Sequence, residues 1–319
     1  MRSSFAVFGK IALLAAVVTA MALPSLSQVS LRKAFDIDAD NKADYIVFRP
    51  ENNTWYIRSS AGVIRSQQWG VANDDWMVPG DYDNDGKADV AVWRESTGVW
   101  YIIPSSTNTF TTQTWGVSGD EPVARDWDGD GKTDLAVVRR TGGNMIWYIF
   151  SSLTGGFEGR QFGASTDFTA PGDYDGDGKF DVAVQRPGAT PTSPATFYIN
   201  TGSSFESYTF GQTSDLVAPG DWNGDGKTDI AVVREGATPT SNLTWYVRQP
   251  GGGYTSFVWG VTGTDLLAQN DYTGDGRTDY GVWRNSDGNF YVFDPTNGGF
   301  YVTNWGQPND FPVASYDTH

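Results

Sequence analysis

The residues best suited to chemistry in this chain are aspartates. Asp81, Asp83, Asp85 and Asp89 occupy positions 1, 3, 5 and 9 of the segment Asp81-Tyr82-Asp83-Asn84-Asp85-Gly86-Lys87-Ala88-Asp89. A glycine stands at position 6, and the backbone carbonyl of Lys87 is available at position 7. Carboxylates at this spacing let a short loop wrap a hard, oxygen-seeking cation, and calcium is the cation that suits it. An EF-hand would need a glutamate at position 12 and a helix after the loop. Position 12 is Val92, inside the apolar stretch Val90-Ala91-Val92-Trp93-Arg94, so this loop feeds a strand.

The pattern occurs six times. The other copies comprise Asp36, Asp38, Asp40, Lys42 and Asp44; Asp126, Asp128, Asp130, Lys132 and Asp134; and Asp173, Asp175, Asp177, Lys179 and Asp181. The last two are Asp221, Asn223, Asp225, Lys227 and Asp229, then Asp271, Thr273, Asp275, Arg277 and Asp279. Successive copies start 45, 45, 47, 48 and 50 residues apart, which implies one supersecondary unit per period. Position 12 is valine in every copy, and an arginine follows two residues later (Arg49, Arg94, Arg139, Arg186, Arg234, Arg284).

Those loops must be positioned by strands. Each period carries four short strand candidates separated by turn residues, the pattern of a propeller blade. In the second unit, strand A is Trp76 to Gly80, strand B is Asp89 to Arg94, strand C is Val99 to Ile103, and strand D ends at Trp115-Gly116. Strand C always reads aromatic, tyrosine, β-branched, as in Trp55-Tyr56-Ile57 and Phe290-Tyr291-Val292. The glycine closing strand D allows a sharp exit toward the next unit. Strand A occurs once more than the others, and Phe311 to Ser315 is expected to complete the first blade, closing the ring and removing two sheet edges. The expected fold is all-β: a six-bladed β-propeller of four-stranded blades closed by the C-terminal strand.

The domain reading follows from the repeats. Residues 1–22 read as a secretory signal, with Arg2 and Lys10 before an apolar run and Ala20-Met21-Ala22 as a cleavage site. Residues 23–33 are a lead-in, and 34–316 hold the repeats 36–80, 81–125, 126–172, 173–220, 221–270 and 271–310 with closing strand 311–315. The signal predicts a secreted, periplasmic or surface protein, with no membrane insertion once it is removed.

Formal charge is −16 with a pI near 4.3, which makes nucleic acid and anionic membranes poor partners. The first four loops hold four aspartates each and the last two hold three, together more than half of the 38 acidic residues. There is no cysteine, and the one histidine is His319, so thiol, zinc-finger and Ser-His chemistries lack their residues.

Phe162-Gly163 followed by Ala170-Pro171-Gly172, and Phe210-Gly211 followed by Ala218-Pro219-Gly220, resemble the FG-GAP family, also called VCBS repeats. The resemblance covers about residues 34 to 316. It implies a β-propeller like that of the integrin α-chain head, secreted bacterial adhesion proteins and some fungal lectins. It also implies up to six structural calcium ions, held through the carboxylates at positions 1, 3, 5 and 9. Asn223 and Thr273 each remove one charge, so weaker binding is expected at the fifth and sixth loops.

The six arginines are matched by six aspartates after strand D (Asp75, Asp120, Asp167, Asp215, Asp265, Asp310), which suggests blade-to-blade ion pairs. Most tryptophans fall at repeat-fixed positions and are assigned to packing. Trp76, Trp93, Phe110, Phe205, Tyr254 and Trp283 fall off register and are candidates for an exposed platform. The functional expectation is a secreted or surface non-catalytic module that binds an extracellular glycan or protein. The alternatives are a carbohydrate-active enzyme, for which Glu95 and Glu235 would be the carboxylate pair, and a purely structural assembly subunit.

Overall fold

The computed structural model describes residues 35–313. The expected signal segment, the lead-in and the last residues of the expected closing strand lie outside the described residues. No helix among the described residues is long and apolar enough to cross a membrane.

Six four-stranded antiparallel sheets succeed one another, each in the order A-B-C-D. In the second blade these strands are Asp75–Met77, Val90–Arg94, Val99–Ile103 and Thr111–Thr114. The first blade takes strand A from the far end of the chain, Phe311–Pro312, which pairs with Tyr45–Arg49 through Phe48↔Phe311 and Val47↔Pro312. The expected ring closure is therefore present. Strand B is buried on both faces and strand C on one, while strand D of the second blade, Thr111–Thr114, is exposed along its length. A strand sandwiched between neighbouring sheets is apolar throughout, whereas an outer one need not be.

Aromatic side chains join the blades by hydrogen bonds as well as by packing. The strand C tryptophans Trp55, Trp100, Trp147 and Trp245 are fully buried. Their indole N–H groups donate to the carbonyls of Trp69, Trp115, Phe162 and Trp259 at the end of strand D. Trp69, Trp115 and Trp259 then donate to the strand C carbonyls of Tyr101, Tyr148 and Tyr291 in the next blade, and Trp305 donates to Tyr56, across the closure. The glycine after the last aromatic of every strand D, Phe210 included, has positive φ, from 76° at Gly211 to 117° at Gly306, as the predicted sharp exit demands.

The arginine–aspartate pairs exist but run within blades, not between them. Strand register sets Asp75 opposite Arg94, and Asp265 opposite Arg284. In each pair the guanidinium spans both carboxylate oxygens, as in Arg139 Nε to Asp120 Oδ1 at 2.7 Å and Nη2 to Oδ2 at 2.8 Å. Sequence spacing alone left open which strand faced which. The aspartate also accepts the backbone N–H just after the glycine, Val117 to Asp120 at 2.8 Å, so it fixes the turn as well. The guanidinium lies over the strand C tyrosine in all six blades, at 4.1 to 4.8 Å from the ring centre. Arg139→Lys keeps the charge but loses both the fork and the stacking plane. It should cost about 1–2 kcal/mol and lower Tm by several degrees in a thermal melt; an unchanged Tm contradicts the role given to the fork.

Candidate metal centres

Each A–B loop is organised by its own carboxylates. Asp81 at position 1 accepts N–H groups from Asn84 and Gly86, at 2.6 and 3.0 Å. Asp85 at position 5 accepts from Lys87 at 2.9 Å, and Asp89 at position 9 accepts from Tyr82 at 2.8 Å. The position-9 bond recurs in all six loops, from Asp44 to Asp279.

Positions 4 and 6 take left-handed backbone in every copy, which explains their glycines and asparagines. Asn41 takes position 6 of the first loop with φ of 64°, and Ala39 at position 4 is also left-handed, with φ of 65°. Ala39→Gly should therefore stabilise the protein by about 0.5–1 kcal/mol, read as a higher urea midpoint at unchanged slope.

The loops are tied into one ring. The N–H at position 8 donates to the carbonyl at position 1 of the preceding loop: Ala88 to Asp36, Thr133 to Asp81, Phe180 to Asp126, Thr228 to Asp173, Thr278 to Asp221, and Ala43 to Asp271. The distances are 2.7 to 3.0 Å. The sixth of these bonds closes the circle. The position-7 residues contribute packing: the stem of Lys179 lies against Gly129 and that of Lys227 against Gly176, each in the loop before.

The structure gathers the predicted carboxylates unevenly. Oxygens of Asp36, Asp38 and Asp40 lie within 4.8 Å of one another, as do those of Asp81, Asp83 and Asp85. In the third and fourth loops the trios are Asp126, Asp128 and Asp134, and Asp173, Asp175 and Asp181. The fifth and sixth loops form no such trio among the described residues. In the fifth, the Asn223 amide turns inward and donates to both oxygens of Asp229 at 2.9 Å, occupying them internally.

Residues outside the loop also reach the carboxylates. Ser105 and Ser106 hydroxyls donate to Asp85 and Asp83, and Ser151 and Ser152 to Asp128 and Asp130. The Ser60 hydroxyl donates to Asp40, and Ser203 donates to Asp175 at 3.2 Å. Sequence reasoning placed these serines in an undistinguished turn after strand C. Their signal was the Ser-Ser pair that follows strand C in each of the first three blades.

Burial acts against ionisation. It pushes Asp44, Asp89, Asp134, Asp181 and Asp229 up to about 7, helped by neighbouring loop carboxylates. Asp126 and Asp173 rise to about 6 for the same reason. Asp279 rises furthest, to about 9, through burial and then the charges of Asp271 and Asp294.

Oδ1 of Asp38, Oγ1 of Thr273 and Oδ1 of Asp279 are buried without a hydrogen-bond partner. A buried oxygen left without a donor is costly, and a hard cation is a partner such a site accepts. The residues therefore fit a divalent cation held through positions 1, 3, 5 and 9, with the position-7 carbonyl alongside.

Known proteins place the chain consistently with this geometry. Among solved structures, TolB from Acinetobacter baumannii is similar with a TM-score of 0.54 at 17% identity, covering 86% of this chain and 64% of that one. A protein from Lactobacillus plantarum matches at a TM-score of 0.45 and 12% identity, covering 84% of this chain and 98% of that one. This chain thus spans just under two thirds of the TolB structure, and the likeness is one of fold. No curated protein matches it in sequence. The model of the FG-GAP-like repeat matches residues 36–92, 126–184 and 173–232, three stretches that contain the first five acidic loops. With those matches spanning half of its length, the chain belongs to the FG-GAP-like repeat family.

Proposed function

We propose that this protein is a secreted or cell-surface propeller, braced by structural calcium in its A–B loops, that binds an extracellular glycan or protein without chemistry. Calcium is the assignment that the all-oxygen donor set favours, since loops of this kind are filled outside cells even when each site is weak.

The observation that carries the binding role is a rim of exposed aromatics. Phe110, Phe157, Phe205, Tyr254 and Phe300 lie at the start of strand D in five successive blades and are 57 to 72% exposed. Each ring leans on the last aromatic of the preceding blade, as Phe110 does on Trp69 at 5.5 Å and Phe300 on Trp259 at 5.4 Å. Phe110, Phe205 and Tyr254 are thus repeat-fixed rather than off register. Trp93 and Trp283 are fully buried and drop out as platform candidates, while Trp76 lies half-buried in strand A. Between the first two blades, Trp69, Tyr101, Phe110, Arg94 and Gln68 line a cleft of about 420 Å³. Flat apolar faces beside polar groups suit a sugar ring or an extended peptide, and five similar places give avidity from weak contacts.

The test is a glycan array probed with the protein in millimolar calcium, and again in chelator. Binding to a defined sugar that is lost in Phe110→Ala supports the glycan reading. A folded protein that binds no glycan sinks that reading and directs the search to protein ligands.

A further inference from the structure

The sixth loop differs from the others in a way its own nine residues do not reveal. Its position 3 is Thr273, and the hydroxyl of that threonine is buried and unpartnered. Its position 9, Asp279, is fully buried with Oδ1 unpartnered. In the first three blades that oxygen accepts a backbone N–H from the turn after strand C: Ser60 to Asp44, Ser105 to Asp89 and Ser152 to Asp134, at 2.6 to 2.7 Å. In the sixth blade Pro295 stands at this place and has no N–H to give.

The residue before that proline is Asp294, also buried, at 1% exposure. Strand B pairs Tyr280 with Phe293 of strand C, which sets Asp279 directly opposite Asp294. Side chains opposite one another in an antiparallel ladder share a face with Cβ atoms about 5 Å apart, and like charges there repel. At the equivalent ladder place the other blades carry Ser59, Pro104, Ser151, Thr201 and Gln249, none of them acidic. The third blade reveals the reach of this position: the Ser151 hydroxyl contacts Asp128, the position-3 carboxylate, at 2.5 Å.

We infer that Asp294 is the missing carboxylate of the sixth site, supplied from the turn after strand C in place of the position-3 aspartate that Thr273 replaces. Asp294 Oδ1 accepts the Thr296 N–H at 2.7 Å and Asp279 Oδ2 accepts those of Tyr272 and Thr273, yet Asp279 Oδ1 has no donor, and a divalent cation between the two carboxylates would supply its partner. The sixth site then has the same carboxylate count as the first four, and the weakening expected from Thr273 is offset. This inference rests on the reading of the loops as calcium sites.

The experiment counts calcium bound by equilibrium dialysis in the wild type, in Asp294→Asn and in the double variant Thr273→Asp/Asp294→Ser, which rebuilds the third blade's arrangement. Asp294→Asn should lose one ion per chain at a concentration that saturates the wild type, reflecting at least about tenfold weaker binding at one site. The double variant should recover the count. A wild type that binds calcium while Asp294→Asn binds as many ions with the same affinity overturns the role of Asp294 alone. A wild type that binds no calcium overturns the parent reading instead. Should Asp294→Asn fail to fold, the double variant decides: recovery of the wild-type count supports the assignment, and a folded double variant short of one ion overturns it.

Discussion

Removing calcium with a chelator at pH 8 is expected to lower Tm by on the order of 20 °C, and at pH 5 by only a few degrees. Each site filled at tenfold excess over its Kd contributes about 1.4 kcal/mol, and for a chain of this size each kcal/mol moves Tm by about 2–4 °C. The four loops whose carboxylates converge, linked through one backbone ring, already give a figure of that order. The pH dependence comes from the position-9 aspartates, whose carboxyls are pushed up to about 7 in the first five loops and about 9 in the sixth.

For the metal-free protein, a folded pKa above the ordinary 3.8 means that these groups stabilise fully in acid. That contribution is lost as pH rises from about 4 through 7 and, at Asp279, through 9. Calcium requires the carboxylates ionised, so it competes with those protons and binds better as pH rises. Near pH 7 each ion in the first five loops should displace about half a proton from its position-9 aspartate, and an ion in the sixth about one proton. The measurements are thermal melts with and without chelator at pH 5, 6.5 and 8, and titrations in buffers of different ionisation enthalpy. A chelator effect of equal size at pH 5 and pH 8 would falsify this linkage.

Deleting residues 310–319 should be the most damaging change to the fold. Asp310 is the fully engaged partner of Arg49, at 2.7 and 2.9 Å, with its side chain only 1% exposed. Breaking such a pair by removing one member costs about 3–5 kcal/mol. The same deletion removes the pairing of Phe311 and Pro312 with strand B, the Val313 N–H bond to the Ile46 carbonyl at 2.8 Å, and the buried Val313 side chain. Strand Tyr45–Arg49 would then present a free hydrogen-bonding edge, a template for pairing with a second chain. The expected outcome is a Tm lower by more than about 10 °C, together with concentration-dependent association in sedimentation. A truncated chain that stays monomeric and melts like the full chain would show that the terminal strand does not close the ring.

Much of this was legible in the chain itself. The six-fold spacing of aspartates fixed the repeat, the alternation and turn residues fixed four strands per repeat, and one surplus strand A fixed how the ring closes. These are local signals: a loop that turns back on itself, a glycine that must take positive φ, a strand that must be apolar on both faces. They are decided by neighbours in sequence, so the sequence displays them.

What depended on tertiary structure is every relation between strands whose register the sequence does not state. The arginine–aspartate pairs were expected between blades, yet register places Arg94 opposite Asp75 within one sheet. Phe110, Phe205 and Tyr254 read as off register because the turn before strand D varies in length, and only the folded rim aligns them with Phe157 and Phe300. Ser105, Ser151 and Asp294 lie 23 to 25 residues beyond the first aspartate of their own loop, and nothing in a nine-residue motif points to them. The two serines reach the loop carboxylates, and Asp294 comes to face Asp279, because the B–C ladder folds the end of strand C back over the start of strand B. The sequence by itself determined where the acidic loops lie and how many there are. The pairing of strands within each blade decided which distant side chains reach each loop, because a hydrogen-bonded ladder brings together residues that are far apart along the chain.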